Sequence, residues 1–169
     1  MAALTGAAGS AIVAGQVATI VAFLDRIGIP TAEAVLDEDT VLPAMTVRDG
    51  VIHYDPARLD RPGDLLHEAG HIAMTDPALR STISDFSLAP TAQGDEMGAT
   101  AWSWAAAIAA GLDARVAFHP DAYRGEGEWL QETFAAGHYP GLPLLQYYGL
   151  ARFPHQDGDQ YPAMVKWLR

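Results

Sequence analysis

The spacing of two histidines and a glutamate constrains the fold of this chain more than any other feature. His67, Glu68 and His71 form the pattern HExxH within the apolar stretch 65–74. On an α-helix, residues four apart lie on the same face, so both imidazoles can reach one metal ion. The stretch predicts such a helix, and Thr75-Asp76-Pro77 is predicted to end it.

This spacing occurs in zinc-dependent hydrolases. Imidazole nitrogens bind zinc at about 2.0–2.1 Å, and we predict that His67 and His71 are such ligands. Glu68 is one position further round the helix, where its carboxylate can accept a proton from a zinc-bound water as general base. A glycine inside a helix costs about 1 kcal/mol relative to alanine. Gly70 therefore indicates that another backbone, or the metal site itself, comes close.

Composition restricts the possible classes of protein. A chain of 169 residues with 50% apolar content predicts one globular domain, 1–169. Its net charge of −11 repels phosphate backbones, so no nucleic-acid partner is expected. Cysteine is absent, which leaves histidine, carboxylates and water as metal ligands.

The first 24 residues carry no charged side chain. They lack the positive n-region of a signal peptide, and glycine and polar residues dilute the run of about 20 apolar residues that a membrane span needs. We predict a flexible start and then a buried helix at about 11–27. We also predict no membrane association and a cytoplasmic location.

Two β-prone runs, 44–47 and 51–54, flank Arg48-Asp49-Gly50. An Asp-Gly pair in this position predicts a hairpin, which leads into the HExxH helix. Its exposed edge could bind an extended peptide by strand addition. Asp60 is the predicted N-cap of the HExxH helix, with Pro62 in the first turn.

The remaining elements are predicted to be mainly helical. Long helices are expected at 95–110 and 126–136, ended by Gly111 and Gly137. Shorter helical segments are expected at 31–36, 77–82, 142–150 and 163–168, and an ordered loop precedes residue 95. The prediction is an α+β fold with a small β-hairpin or sheet beside the HExxH helix. The metal core would span 44–111, followed by a helical segment, 112–169.

A catalytic zinc site has three protein ligands and one position for water. The extended pattern HExxHxxGxxH is absent, because Met74 and Pro77 stand at its glycine and third histidine. The third ligand must therefore come from further along the chain.

We predict Glu96 as that ligand, because it opens the next long helix and leaves enough chain for a return beside the first. Its helix face continues with small residues that permit close approach, namely Ala99, Thr100, Ser103 and Ala107. Asp95, His119 and His138 remain alternatives.

Peptide hydrolysis also needs a donor that stabilises the oxyanion. We predict His138 and Tyr148 for this role. The other candidates in the C-terminal segment are Tyr139, Tyr147, Arg152 and His155. The ligand imidazoles also need partners for their second nitrogens, for which Asp64, Asp76 and Asp85 are within reach along the sequence.

With these residues the chain resembles the gluzincins, and most closely the IrrE/ImmA-like metallopeptidases. Leu-His-Glu-Ala-Gly-His at 66–71 and Glu-Met-Gly-Ala at 96–99 carry the resemblance, which covers about 44–111. It implies a zincin-like fold, a Zn²⁺ cofactor held by His67, His71 and Glu96, and Glu68 as general base. The implied activity is hydrolysis of a peptide or protein, with a narrow regulatory substrate. The alternatives are a non-catalytic binding or regulatory module with the same fold and a non-peptide zinc hydrolase.

Overall fold

The computed structural model describes residues 2–37, 40, 42–85 and 93–169, with the backbone alone at 2–8 and 93–94. These residues form five α-helices and a three-stranded mixed sheet, which confirms an α+β fold. Residues 86–92 of the predicted loop lie outside the described residues. The helices and strands, in chain order, are α1 Ala2–Ile27, β1 Thr31–Glu33, β2 Met45–Arg48, β3 Val51–Tyr54, α2 Gly63–Met74, α3 Gln93–Ala109, α4 Gly127–Ala135 and α5 Leu142–Tyr147. Short 3-10 turns occupy Arg80–Thr82, Ala114–Ala117 and Tyr123–Gly125.

The predicted hairpin is confirmed. Strands β2 and β3 pair antiparallel, with Arg48 opposite Val51. Asp49 and Gly50 have φ of 50° and 74°, the left-handed conformation that a two-residue type I′ turn requires. A Cβ at Gly50 would lie 2.4 Å from the Arg80 carbonyl oxygen, so the turn also has no room for a side chain.

Strand β1 replaces the helical turn predicted at 31–36. It pairs parallel with β3, so that the order in the sheet is β1-β3-β2. Thr31 lies opposite Ile52, and the Ala34 amide donates to the Tyr54 carbonyl oxygen at 2.9 Å. The local pattern did not indicate this strand because its partner lies about 20 residues downstream.

Helix α2 carries the HExxH residues, as predicted, but begins later than expected. Pro62 occupies the N-cap position and the helix runs to Met74, followed by Thr75. Asp60 is not the cap, because its side chain is 82% exposed and its carboxylate lies 4.0 Å from Arg61 Nε.

Helices α2 and α3 pack closely through small residues. A Cβ on Gly70 would lie 3.0 Å from Ala99 Cα, which confirms that another backbone approaches this glycine. The buried hydroxyls of Thr100 and Ser103 donate to carbonyl oxygens one turn earlier in α3, at 2.8 and 2.7 Å. Close packing without unpaired polar groups therefore brings the start of α3, with Glu96, against α2.

Helix α1 begins earlier than predicted, at Ala2, and among its described side chains, those of residues 9–27, the buried ones lie in the second half. Val17, Ile20, Phe23 and Leu24 are buried, whereas Ile12 is 62% exposed. The prediction of a buried helix from residue 11 is wrong for residues 11–16, which are exposed or half-buried. Among the described residues, Gly9–Ile27 is the one helix long and apolar enough to cross a membrane. The cytoplasmic location stays a prediction.

The C-terminal segment is less helical than predicted. Helices α4 and α5 match two predictions, and Gly137 follows α4 with φ of 83°. The helix predicted at 163–168 is wrong, because this segment consists of bends and irregular backbone. Tyr161 donates to the Ala101 carbonyl oxygen at 2.7 Å, and Trp102 Nε1 donates to the Trp167 carbonyl oxygen at 3.1 Å. These bonds hold the segment along α3 in an irregular conformation.

Candidate metal centre

His67 and His71 on α2 meet Glu96 on α3 at one point. The two Nε2 atoms are 3.1 Å apart, and Glu96 Oε2 lies 3.2 Å from that of His67. Glu96 Oε1 lies 3.4 Å from His71 Nε2. Within the described part of the chain, this is the one group of three or more histidine, aspartate or glutamate side chains close enough to hold a metal ion. The alternatives Asp95, His119 and His138 do not belong to it.

The three contacts within this group bring together electron-rich nitrogen and oxygen atoms, which one cation between them would stabilise. The Tyr123 hydroxyl lies 3.1 Å from His67 Nδ1, and when that nitrogen donates to the hydroxyl, Nε2 carries a lone pair. This lone pair then faces a carboxylate oxygen and a second imidazole nitrogen. One proton can satisfy only one of these pairs, whereas a cation at the centre satisfies all of them. The geometry therefore suits a metal ion better than a hydrogen-bond network.

Glu96 is an anion at neutral pH. The ring nitrogens of His67 and His71, 3.2 and 3.4 Å from its oxygens, hold the pKa of its carboxyl well below the usual range, although burial acts in the opposite direction. Its side chain is 42% exposed, so one side of the group is open to solvent. The group thus combines two nitrogen donors, one charged oxygen donor and access for a further ligand.

Glu68 is in a different environment from Glu96. It is buried, and this burial raises the pKa of its carboxyl, while the charges of His67 and His71 act to lower that pKa. Asp85 and Glu96 raise it further. A carboxyl with a raised pKa close to both imidazoles has the properties of a proton-transfer group.

Tyr123 is a site residue that the sequence analysis missed. Besides its contact with His67 Nδ1, its ring packs edge-on against the His67 ring, with centroids 5.4 Å apart. Burial raises its pKa well above the usual range, so the phenol stays protonated. With its φ of 54°, Tyr123 is in the left-handed region that non-glycine residues seldom adopt. Its place in a short irregular turn, 56 residues beyond His67, gave no local signal.

The predicted acidic partners of the imidazoles have other contacts. Asp76 and Asp85 make backbone hydrogen bonds, to the amides of Ala78 and Val47 respectively. Asp64 forms an ion pair with Arg61 at 3.2 Å, and its interaction with His67 is electrostatic. The tyrosine hydroxyl therefore takes the place that the sequence analysis gave to a carboxylate.

Asp85 also changes the interpretation of the hairpin edge. The Val47 amide donates to Asp85 Oδ1 at 2.6 Å, and the Val47 carbonyl oxygen accepts from the Asp85 amide at 3.0 Å. Thr46 donates to the same carboxylate. The edge of β2 is therefore already paired at Val47, which contradicts strand addition at that position.

No family model, curated protein or solved structure matches this chain. The resemblance to the IrrE/ImmA-like metallopeptidases therefore stays a prediction. The function must be argued from the site itself.

The two predicted oxyanion donors make their contacts elsewhere. His138 is exposed, and its backbone amide donates to the Thr133 carbonyl oxygen at 3.0 Å. The Tyr148 ring lies beneath the Arg169 guanidinium, 4.2 Å from the ring centroid. Their catalytic role stays a prediction without support from these contacts.

Proposed function

We propose that this chain is a zinc metallopeptidase with a zincin-like arrangement. His67, His71 and Glu96 would hold the zinc ion, and Glu68 would be the general base. The observation that carries the proposal is how close the donor groups lie. The two Nε2 atoms are 3.1 Å apart, and the two carboxylate oxygens of Glu96 lie 3.2 Å from His67 Nε2 and 3.4 Å from His71 Nε2.

These separations fit a zinc ion well. Two ligands at about 2.0–2.1 Å from zinc, at a tetrahedral angle, lie about 3.3–3.4 Å from each other. The distance between the two Nε2 atoms, 3.1 Å, and that between His67 Nε2 and Glu96 Oε2, 3.2 Å, are each within a few tenths of an ångström of that value. Two histidines and one glutamate also form a donor set found in catalytic zinc sites.

The open side of the group supports a catalytic role over a purely structural one. Structural zinc sites are closed by four protein ligands, whereas catalytic sites keep one position for water or substrate. The described residues supply three donors, and the Glu96 side chain remains 42% exposed. A structural site would also have no use for Glu68, a buried acid close to both imidazoles.

The protein residues divide the work of peptide hydrolysis. A zinc ion held by His67, His71 and Glu96 would supply a water with a pKa lowered towards about 7 and would polarise the scissile carbonyl. Glu68 accepts the proton of the attacking water and then donates it to the leaving amine. With His67 Nδ1 donating to the Tyr123 hydroxyl, 3.1 Å away, Nε2 would be free for the metal. The proposed substrate is a peptide or protein.

Metal stoichiometry tests the site. We expect about one zinc per chain in the purified protein reconstituted with Zn²⁺, loss on treatment with a chelator, and recovery when Zn²⁺ is added again. His67→Ala should lose tight binding, whereas His155→Ala, at an exposed histidine elsewhere in the chain, should retain it. Unchanged zinc content in His67→Ala would contradict the proposed zinc site.

Hydrolysis of a library of fluorescence-quenched peptides tests the activity. Loss of the general base in Glu68→Gln should lower kcat/KM by about 10²–10⁴-fold while the protein still binds zinc. A Glu68→Gln variant that binds zinc and matches the parent in every assay would favour the non-catalytic module.

A further inference from the structure

A small pocket lies beside the metal centre. It has a volume of about 230 Å³ and shares His67 and Tyr123 with the site. Arg61, Asp64 and Arg124 also line it. A substrate bound at the metal would therefore have one of its groups next to this pocket.

The turn that forms one wall of the pocket is strained. Tyr123 and Arg124 have φ of 54° and 60°, and Gly125 continues the left-handed conformation with φ of 87°. Non-glycine residues in this region are strained and persist where their surroundings determine them. Here Tyr123 is fixed by its contact with His67 and by edge-on packing against Phe118. The turn therefore presents Arg124 at the pocket from a fixed backbone.

Two arginines and two aspartates line the pocket, and Arg124 is the arginine that forms no ion pair among the described residues. Arg61 is paired with Asp64 at 3.2 Å. Asp121, the second acid of the lining, has a side chain that is 89% exposed and lies 3.9 Å from His119. Arg124 takes part in none of the ion pairs or hydrogen bonds found among the described residues.

From this arrangement we propose that the pocket binds a carboxylate of the substrate peptide and that Arg124 is its main partner. The inference rests on the proposed peptidase function. A guanidinium presents a planar fork of N–H donors that matches a carboxylate in a paired geometry. The carboxylate comes from an acidic side chain or from the peptide C-terminus.

Paired peptides separate these two sources. One pair has an internal Glu or Gln and an amidated C-terminus; the other has no acidic side chain and a free or amidated C-terminus. Affinity is measured by fluorescence polarisation on zinc-loaded Glu68→Gln protein, so the result does not depend on hydrolysis. We expect at least one acid to bind about tenfold or more tightly than its amide, as for hydrogen bonds between charged groups.

Variants at Arg124 test the assignment. Arg124→Asn keeps a residue that tolerates a positive φ and should bring the acid-to-amide ratio to within about twofold of one. Arg124→Lys should keep part of the preference. The control Arg115→Gln removes an exposed arginine that lines a different pocket, and it should keep the full preference for the acid over the amide. Circular dichroism checks that each variant is folded.

The outcomes separate this inference from the proposed function. A parent ratio near one for both pairs, or a ratio that Arg124→Asn leaves unchanged, would overturn the carboxylate pocket. Failure of the parent chain to hydrolyse any peptide, with the binding preference intact, would count against the peptidase alone.

Discussion

Replacing Gly70 with alanine tests whether the close approach of α2 and α3 positions Glu96. The new Cβ would lie 3.0 Å from Ala99 Cα and 3.2 Å from Ala99 Cβ. Since carbon atoms pack best at about 3.5–4.0 Å, the helices would have to separate by roughly 0.5 Å. Overpacking of this kind costs about 1–3 kcal/mol, while the better helix propensity of alanine returns about 1 kcal/mol. We expect a net loss of about 0–2 kcal/mol in the free energy of unfolding.

The matched control is Gly15→Ala. Gly15 lies within α1, and a Cβ there would have no neighbour within 4 Å, so the substitution changes helix propensity without a steric cost. It should stabilise the protein by up to about 1 kcal/mol. The difference between the two variants therefore isolates the steric cost of about 1–3 kcal/mol. Urea denaturation of the zinc-free proteins measures it.

The same displacement should weaken the metal site. Glu96 lies three residues before Ala99 on α3, so a shift of that helix moves its carboxylate relative to the imidazoles. Disturbing the support of a ligand lowers metal affinity by about 10–100-fold, and we expect a loss in this range for Gly70→Ala. Competition with a chromophoric chelator measures the affinity. Equal stability of the two alanine variants, together with the zinc affinity of the parent, would refute the role of helix packing.

Three other predictions concern the site and the core. Tyr123→Phe should lower zinc affinity by about 10–100-fold in the same assay, and unchanged affinity would show that the hydroxyl does not orient the ligand. Burial lowers the pKa of His71, but Glu96 and other carboxylates raise it more, so protons should already compete with zinc near neutral pH. Zinc affinity measured between pH 8 and 6 should therefore fall as the pH falls. Burial raises the pKa of Tyr161 well above its usual value, so the folded state keeps a proton that the unfolded chain releases near pH 10. The contribution of Tyr161 to the free energy of unfolding should be fully present below about pH 10 and should decrease above it. Tyr161→Phe should reduce this pH dependence.

The parts of the site that were predicted depend on local signals. The spacing of His67 and His71 determines that both imidazoles share one helix face, whatever the rest of the fold. Asp49-Gly50 determines the hairpin turn in the same way. Glu96 needed one tertiary assumption, close packing of two helices, and Gly70 already indicated that packing in the sequence.

The parts that were missed depend on contacts between distant segments. Strand β1 exists because β3 offers it a parallel edge, and neither segment indicates that pairing by itself. Tyr123 reaches His67 through a turn with two consecutive left-handed non-glycine residues, for which no sequence rule gives a prediction. The segment near Trp167 is irregular instead of helical, and the Trp167 carbonyl oxygen accepts a hydrogen bond from the Trp102 side chain of α3.

The two carboxylates near the imidazoles give the final argument for the proposed chemistry. They belong to one small site, yet burial raises the pKa of Glu68 while the close contacts with the two imidazoles lower the pKa of Glu96. Environments that separate two pKa values in this way assign different roles to chemically similar groups. The open, anionic Glu96 suits permanent coordination of a cation, because it stays charged at neutral pH. The buried Glu68 suits a group that takes up and returns a proton within each cycle. An exchange of the two residues, Glu68→Gln losing metal and Glu96→Gln losing only turnover, would contradict this division.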